Sequence, residues 1–250
     1  MKRRAIAGLL VLLSACSPDR MPAAPGGTPA AGRPIRVLML TATAGFRHES
    51  IATARQVMSS LAAASAGEIQ LTTTEDPGAL TAAALSQHDV LFFALTSGEL
   101  PFSEAQKSAI LGFVSDGNGF IGAHSATDTL YDWPEYGRLV GAYFREHPWT
   151  QQAAVIVEDP SHPAAAGIAD RFILLEEFYT FRENPRPRVQ VLLRLDAASV
   201  GATGDFPLAW VHTFGSGRVY YNALGHFPST WTDTRFQQQL RAAIRWTAKR

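Results

Sequence analysis

The first half of the chain alternates between short strand-like runs and longer stretches of helical period. "IRVLMLTAT" (residues 35 to 43) is nearly continuously apolar and lies between Pro34 and Gly45. "EIQLTTTE", "DVLFFALTS" and "GFIGA" follow as three further runs. Apolar runs of this length, bounded by turn residues, suit strands buried on both faces of a parallel sheet. Between them, helical text runs from Glu49 to Ala64, and "GALTAAALSQ" offers a short helix. Ser103 and Gln106 match the S-x-x-Q capping box and open a helix with Ile110, Phe113 and Val114 on its apolar face, ending before Gly117. This alternation predicts an α/β fold, a flavodoxin-like parallel sheet with crossover helices.

After residue 150 the pattern changes. "AAVIVE", "RVQVLLRL", "PLAWVHTF" and "GRVYYNAL" read as strands with no long helix between them, which predicts additional antiparallel strands in the C-terminal half. A last helix is expected from about Arg235 to Ala248, and no internal repeat is present.

The N-terminus has a different character. Lys2, Arg3 and Arg4 precede an apolar run from Ala5 to Leu13, too short to span a bilayer and suited to a secretory signal. Leu13-Ser14-Ala15-Cys16 resembles a lipobox, so residues 1–15 are expected to be a lipoprotein signal peptide and Cys16 the lipidated first residue of the exported protein. Ser17, rather than Asp, follows that cysteine, and the expected location is the periplasmic face of the outer membrane. Residues 16–34, rich in Pro, Gly and Ala, read as a flexible tether. The remainder, 35–250, reads as one domain of a chain that is 46% hydrophobic and 18% charged.

Cys16 is the only cysteine, which excludes disulfides and a catalytic thiol in the domain. The 22 basic and 22 acidic residues cancel, and no feature suggests nucleic-acid binding.

Ligands of open parallel sheets sit beyond the carboxyl ends of the strands. "TAGFRHES", "LTSGEL", "AHSATDTLYDWP" and "GHFPSTW" occupy those places, and three of the four carry a histidine: His48, His124 and His226. In "GFIGAHSATD", His124 stands where a nucleophile elbow would carry Ser or Cys. A histidine on such a bend can act as a base, as a metal ligand or as a polar contact to a hydroxyl. His48 and His226 should open on the same sheet edge and join it.

Glu176 and Glu177 lie among apolar residues, where an unpaired carboxylate is costly. A His/His/Glu set suits zinc or a similar divalent metal, with His48, His124 and His226 as ligands, although the H-x-x-x-H spacing of helical zinc motifs is missing. Aromatic Tyr131, Trp133, Tyr143, Trp149, Tyr179, Phe227 and Trp231 can face a sugar ring, while Arg47, Thr96 and Ser97 can contact its hydroxyls or an anion. His88, His162 and His212 read as structural, and "HPW" at His147 is too ordinary to single out.

Six segments give the chain a resemblance to a known family. They are "TAGFRHESI", "GFIGAHSATDTLYDWPEYGRLVGAYFREHPW", "DPSHPAAAGI", "EEFYTFRENPR", "PLAWVHTFGSGRVYYNALGH" and "FQQQLRAAIRWTA". In this order they resemble the ThuA-like proteins, named for trehalose utilisation. The resemblance implies a class I glutamine amidotransferase-like fold and a place in trehalose or keto-sugar metabolism. It also implies that the elbow is kept while His124 replaces the amidotransferase cysteine, and that Glu177 fills the acidic place of a D/E-E-x-Y text.

The leading expectation is an enzyme acting on a sugar or keto-sugar, a lyase, hydrolase or isomerase. In it, His124 and Glu177 transfer protons, while His48 and His226 hold substrate or metal. A non-catalytic carbohydrate-binding lipoprotein is the alternative. Ser125 is poorly placed as a hydrolase nucleophile, one position after the elbow apex.

Overall fold

The apolar runs of the first half become neighbouring parallel strands, three of them buried along nearly their whole length and the fourth, residues 69–74, at the sheet edge. In the computed structural model, residues 32–250 are described; the signal segment, Cys16 and most of the expected tether lie outside the described residues. The strands are β1 (Ile35–Leu40), β2 (Ile69–Thr74), β3 (Val90–Ala94), β4 (Gly119–Ala123), β5 (Phe144–Val157), β6 (Arg171–Phe181), β7 (Gln190–Leu195), β8 (Pro207–Phe214) and β9 (Gly217–Asn222). They form one sheet in the order β2-β1-β3-β4-β9-β8-β7-β5-β6. The pairs from β2 to β9 are parallel, and those from β9 to β6 are antiparallel. Strand β9 therefore joins the two halves, pairing in parallel with β4 and antiparallel with β8.

The crossover helices match the sequence reading closely. Helix α1 spans Ser50–Ala63, and α3 spans Glu104–Ser115 behind the expected Ser103/Gln106 capping box. The stretch "GALTAAALSQ" is broken into a 3-10 turn, Pro77–Ala79, and a short α2, Ala82–Leu85, because the Asp76 and Thr81 side chains each cap a separate start. Short helices α4 (Pro134–Val140) and α5 (Pro228–Thr232) follow the strands β4 and β9. The closing helix α6, Thr234–Thr247, buries Phe236, Leu240, Ala243 and Ile244, one stripe at helical spacing, and packs against β1, β4 and β9.

The C-terminal half departs from expectation at β5 and β6. Strand β5 begins at Phe144 rather than within "AAVIVE", and β6 was not anticipated as a strand. The reason is their partial covering: most of β5 before Ala153 is exposed, and on β6 Ile173 and Leu175 are 60% and 44% exposed. Half-covered ribbon carries no continuous apolar run. Register shifts between Phe144, Glu146 and Trp149 mark a β-bulge, the device that re-aims a side chain, and His147 lies within it.

Two loops that carry the site are held together by residues 97 and 98. The Ser97 carbonyl accepts from Ala44 N, Gly98 N donates to Asp128 O, and Gly98 O accepts from Leu130 N. Gly98 sits at φ +71, and a Cβ there would lie 2.5 Å from Gly45 N and 2.7 Å from the Ala44 carbonyl carbon. A left-handed non-glycine and a backbone clash each cost about 1–3 kcal/mol. Gly98→Ala is expected to lower unfolding stability by about 2–4 kcal/mol, measured by urea unfolding. An unchanged midpoint would show that the two loops do not meet there.

Candidate functional site

The site begins with the bend at the end of β4. His124 is fully buried with φ +51, a backbone state costly for a non-glycine residue. Its carbonyl accepts a 2.7 Å bond from the Tyr221 hydroxyl on β9. Its Nδ1 lies 2.8 Å from the Ala223 carbonyl, and because a carbonyl only accepts, that nitrogen carries the hydrogen. The remaining lone pair, on Nε2, points away from the sheet pairing and into the site.

Three other side chains close on that nitrogen. His48, in the last turn of chain before α1, places its Nε2 3.1 Å away. The Tyr179 hydroxyl, from β6, lies at 2.9 Å, and Glu177 Oε2 at 3.5 Å. His226, after β9, has its Nδ1 3.1 Å from Glu177 Oε2. That distance permits charge attraction, yet the hydrogen-bond geometry is not met, and His226 Nδ1 is buried without a hydrogen-bond partner among the described residues. The candidate ligand atoms of His48, His124, Glu177 and His226 all lie within 4.8 Å of one another.

The adjacent Glu176 performs a different task. It is fully buried, and its carboxylate accepts four bonds: Glu177 N at 2.9 Å, His226 N at 3.0 Å, Gly225 N at 2.9 Å and Thr230 Oγ1 at 2.7 Å. These bonds fasten the loop after β9 to β6 and set where His226 stands. From the other side, Ser50 Oγ donates to Gly225 O, tying the start of α1 to the same loop.

Burial and neighbouring charge tune the group. Burial, then the His124 and His226 imidazoles, push His48 down to about 3, so it is neutral at neutral pH. Burial alone would raise Glu177, but the facing His124 and His226 imidazoles outweigh it and hold the carboxyl well below the usual carboxylate range. The Glu177 carboxylate raises His226 against the pull of burial. Burial drives the Tyr179 phenol far above its ordinary value, keeping it a hydrogen donor.

His48, Glu177, Tyr179 and His226 face a cavity of about 220 Å³ that Phe46, Asp128, Phe144 and His147 also line, with His124 buried behind it. Larger hollows of about 390 Å³, beside Trp149 and Phe206, and about 420 Å³, beside Arg182 and Arg188, lack any such convergence of histidines. Chemistry rather than size therefore marks the site.

Of the residues singled out from sequence, His48, His124, Glu177, His226 and Tyr179 are brought together. The proposed hydroxyl contacts are not. Arg47 turns outward into an ion pair with Glu75 at 2.8 Å. Thr96 is buried against Thr129 at 3.0 Å, and Ser97 donates to Phe46 O at 2.6 Å, so both hold loops together and lie outside the cavity lining. Trp133 is a core residue stacked on Tyr136. Tyr131 stands one layer behind the cavity and donates to Asp128 Oδ1 at 2.7 Å.

Four lining residues were missed, the first being Phe46, which stands in the loop already singled out for His48. His147 places Nδ1 3.3 Å from Glu177 Oε1 and owes its direction to the β5 bulge, which no sequence period reveals. Asp128, whose carboxyl is raised by burial against the Tyr131 bond, closes the 3-10 turn after His124. It stood inside a loop already singled out, so its proximity to the elbow was the available signal. Phe144 opens a strand whose start was not anticipated.

Comparison with known proteins places this geometry. No curated protein matches the chain. Among solved structures, a protein described as ThuA-like from Bacteroides uniformis superposes with a TM-score of 0.73 at 23% identity, over 88% of this chain and 95% of that one. A protein described in the same way from Parabacteroides merdae gives 0.70 at 18% identity, over 86% and 90%. A protein described as a GMP synthase subunit from Thermoplasma acidophilum gives 0.51 at 11% identity, over 87% and 96%, in keeping with the amidotransferase-like sheet. The family model for ThuA, trehalose utilisation, matches residues 36–247, and the chain belongs to that family.

Proposed function

We propose that this ThuA-family protein is an enzyme of carbohydrate metabolism that acts on a sugar or keto-sugar, with its reaction centre at His48, His124, Glu177 and His226. The observation that carries the reading is the convergence of four ionisable side chains from four distant segments, three of which, His48, Glu177 and His226, line one cavity rimmed by aromatic rings with His124 directly behind them. The cavity is smaller than the roughly 300–1,000 Å³ of sites for drug-sized ligands, a size suited to one sugar ring with the rest of a disaccharide outside. Phe46, 63% exposed, and Phe144 offer apolar faces, while the histidines and carboxylates offer partners for hydroxyls.

The electrostatics refine the roles expected from sequence. A carboxyl held as low as Glu177 is a weak base at neutral pH, so it serves better as a fixed negative charge that orients His124 and His226. Asp128 is displaced the other way, toward the range in which a group gives and takes protons, and it lines the cavity. It is the better carboxyl for proton transfer. The Tyr179 hydroxyl, 2.9 Å from His124 Nε2, extends the same network.

Two substitutions test this. Asn tolerates the left-handed backbone better than most residues, so His124→Asn should keep the bend and the fold. Turnover on a confirmed sugar or 3-keto-disaccharide should fall about a hundredfold or more, with binding largely retained. Asp128→Asn should lower kcat by about tenfold or more at similar affinity, since Asn keeps an acceptor for the Tyr131 hydroxyl. Wild-type binding with no turnover across a panel of keto and unmodified disaccharides would move the protein to the carbohydrate-binding reading.

The exported state belongs to the same proposal. A basic start, a short apolar run and the Leu13-Ser14-Ala15-Cys16 text support cleavage before Cys16 and anchoring of the domain by lipid. Mass spectrometry of the full-length product from a Gram-negative host should find a lipid-modified N-terminal Cys16 in the outer-membrane fraction. An unmodified Cys16, or cleavage elsewhere, would reject it.

A further inference from the structure

We infer that His48 Nε2, His124 Nε2, His226 Nδ1 and a Glu177 carboxylate oxygen are the ligands of one divalent first-row transition ion of the zinc class. The inference rests on donor geometry alone and is independent of which sugar, if any, is processed.

The first argument is the spacing. Ligand atoms about 2.05 Å from a tetrahedral zinc stand about 3.3 Å from one another. The measured edges are 3.1 Å between His124 and His48, 3.5 Å between His124 and Glu177, and 3.1 Å between His226 and Glu177. The other separations do not exceed 4.8 Å. Three of the six edges therefore match the spacing of a tetrahedral site.

The second argument is proton bookkeeping. With its Nδ1 hydrogen given to Ala223 O, neutral His124 has one lone pair on Nε2. Around it stand a phenol hydroxyl at 2.9 Å, a second imidazole nitrogen at 3.1 Å and a carboxylate oxygen at 3.5 Å. With the hydrogen on Nδ1, the Glu177 carboxylate and the Nε2 lone pair face each other with no hydrogen of His124 between them. A cation among the four donors accepts every lone pair at once.

The third argument is the supporting shell. Ligating histidines usually donate their other ring nitrogen to a carbonyl or carboxylate, as His124 Nδ1 does to Ala223 O. The buried, unpartnered Nδ1 of His226 then has a use, and Glu176 holds the loop that aims it through the backbone nitrogens of Gly225 and His226. Tyr179, 2.9 Å from His124 Nε2, stands beside the four ligands as a neighbour. Three imidazoles and one carboxylate favour zinc or a similar borderline ion over magnesium or calcium, which take all-oxygen sites.

The test is metal stoichiometry on the full chain, separate from any activity. After chelator treatment and buffer exchange, zinc titrated by calorimetry and counted by elemental analysis should bind at one ion per chain and raise the melting temperature. Cobalt in its place should give the intense visible bands of a four- or five-coordinate nitrogen and oxygen site. His48→Ala, His226→Ala and Glu177→Gln should each weaken zinc binding tenfold or more, with unchanged far-ultraviolet circular dichroism showing that the fold is kept. His88→Gln, remote from the cluster, should bind as wild type. Failure of the wild type to bind zinc or cobalt, or full binding by all three ligand variants, would overturn the inference. A loaded protein that turns over no sugar would sink the sugar reading and leave the metal centre standing.

Discussion

The buried carboxylate of Glu176 is the constraint on which the two halves of the site depend. It lies on β6, at the antiparallel edge of the sheet, and accepts from four donors, three of them in the loop and short helix after β9. A fully buried carboxylate without such bonds would cost several kcal/mol. With four donors it becomes a clamp, and bonds to a charged acceptor are each worth about 1.5–3 kcal/mol. Because β6 and β9 are separated in the sheet by β8, β7 and β5, no ladder hydrogen bond joins them. The clamp supplies that connection, and the same short stretch of β6 then delivers Glu177 and Tyr179 into the site.

Once that frame is fixed, the strain at His124 has a function. The left-handed bend costs about 1–2 kcal/mol for a residue of this kind, and the Tyr221 hydroxyl and Ala223 carbonyl hold it in place from the β9 side. What the bend delivers is one orientation of one ring, with the hydrogen on Nδ1 committed and Nε2 turned toward His48, Tyr179 and Glu177. An extended backbone would have carried the side chain on along the strand. Gly225, at φ +132 and with its Cβ position 3.4 Å from the His124 Cβ, lets the opposing loop approach that closely.

How much of this could be read from sequence follows the covering of each element. Strands β1, β3 and β4, covered on both faces, announce themselves as apolar runs, and the Ser103/Gln106 box locates α3. The three loop histidines were legible because strand ends and polar text coincide. Strands β5 and β6 were poorly legible because an edge ribbon with one solvated face mixes Glu146, Gln151 and Gln152 with Ile173 and Leu175. His147 was lost with them, since a bulge rather than a period aims it. Arg47, Thr96 and Ser97 show the converse. Their types suit a sugar site, but side-chain type does not fix direction, and each is claimed by a nearer partner: Glu75, Thr129 and the Phe46 carbonyl.

The same dependence on partners sets what a histidine needs at this bend. A cysteine at the end of β4 needs only to be exposed and activated, whereas a histidine there has two distinguishable nitrogens and therefore needs its surroundings specified on both sides. The chain supplies both: Ala223 O takes one nitrogen, and His48, Tyr179 and Glu177 surround the other. None of these partners lies in the elbow itself. They come from the start of α1, from β6 and from the loop after β9, so the antiparallel half of the sheet and the Glu176 clamp are what turn a bend shared across many folds into this particular site.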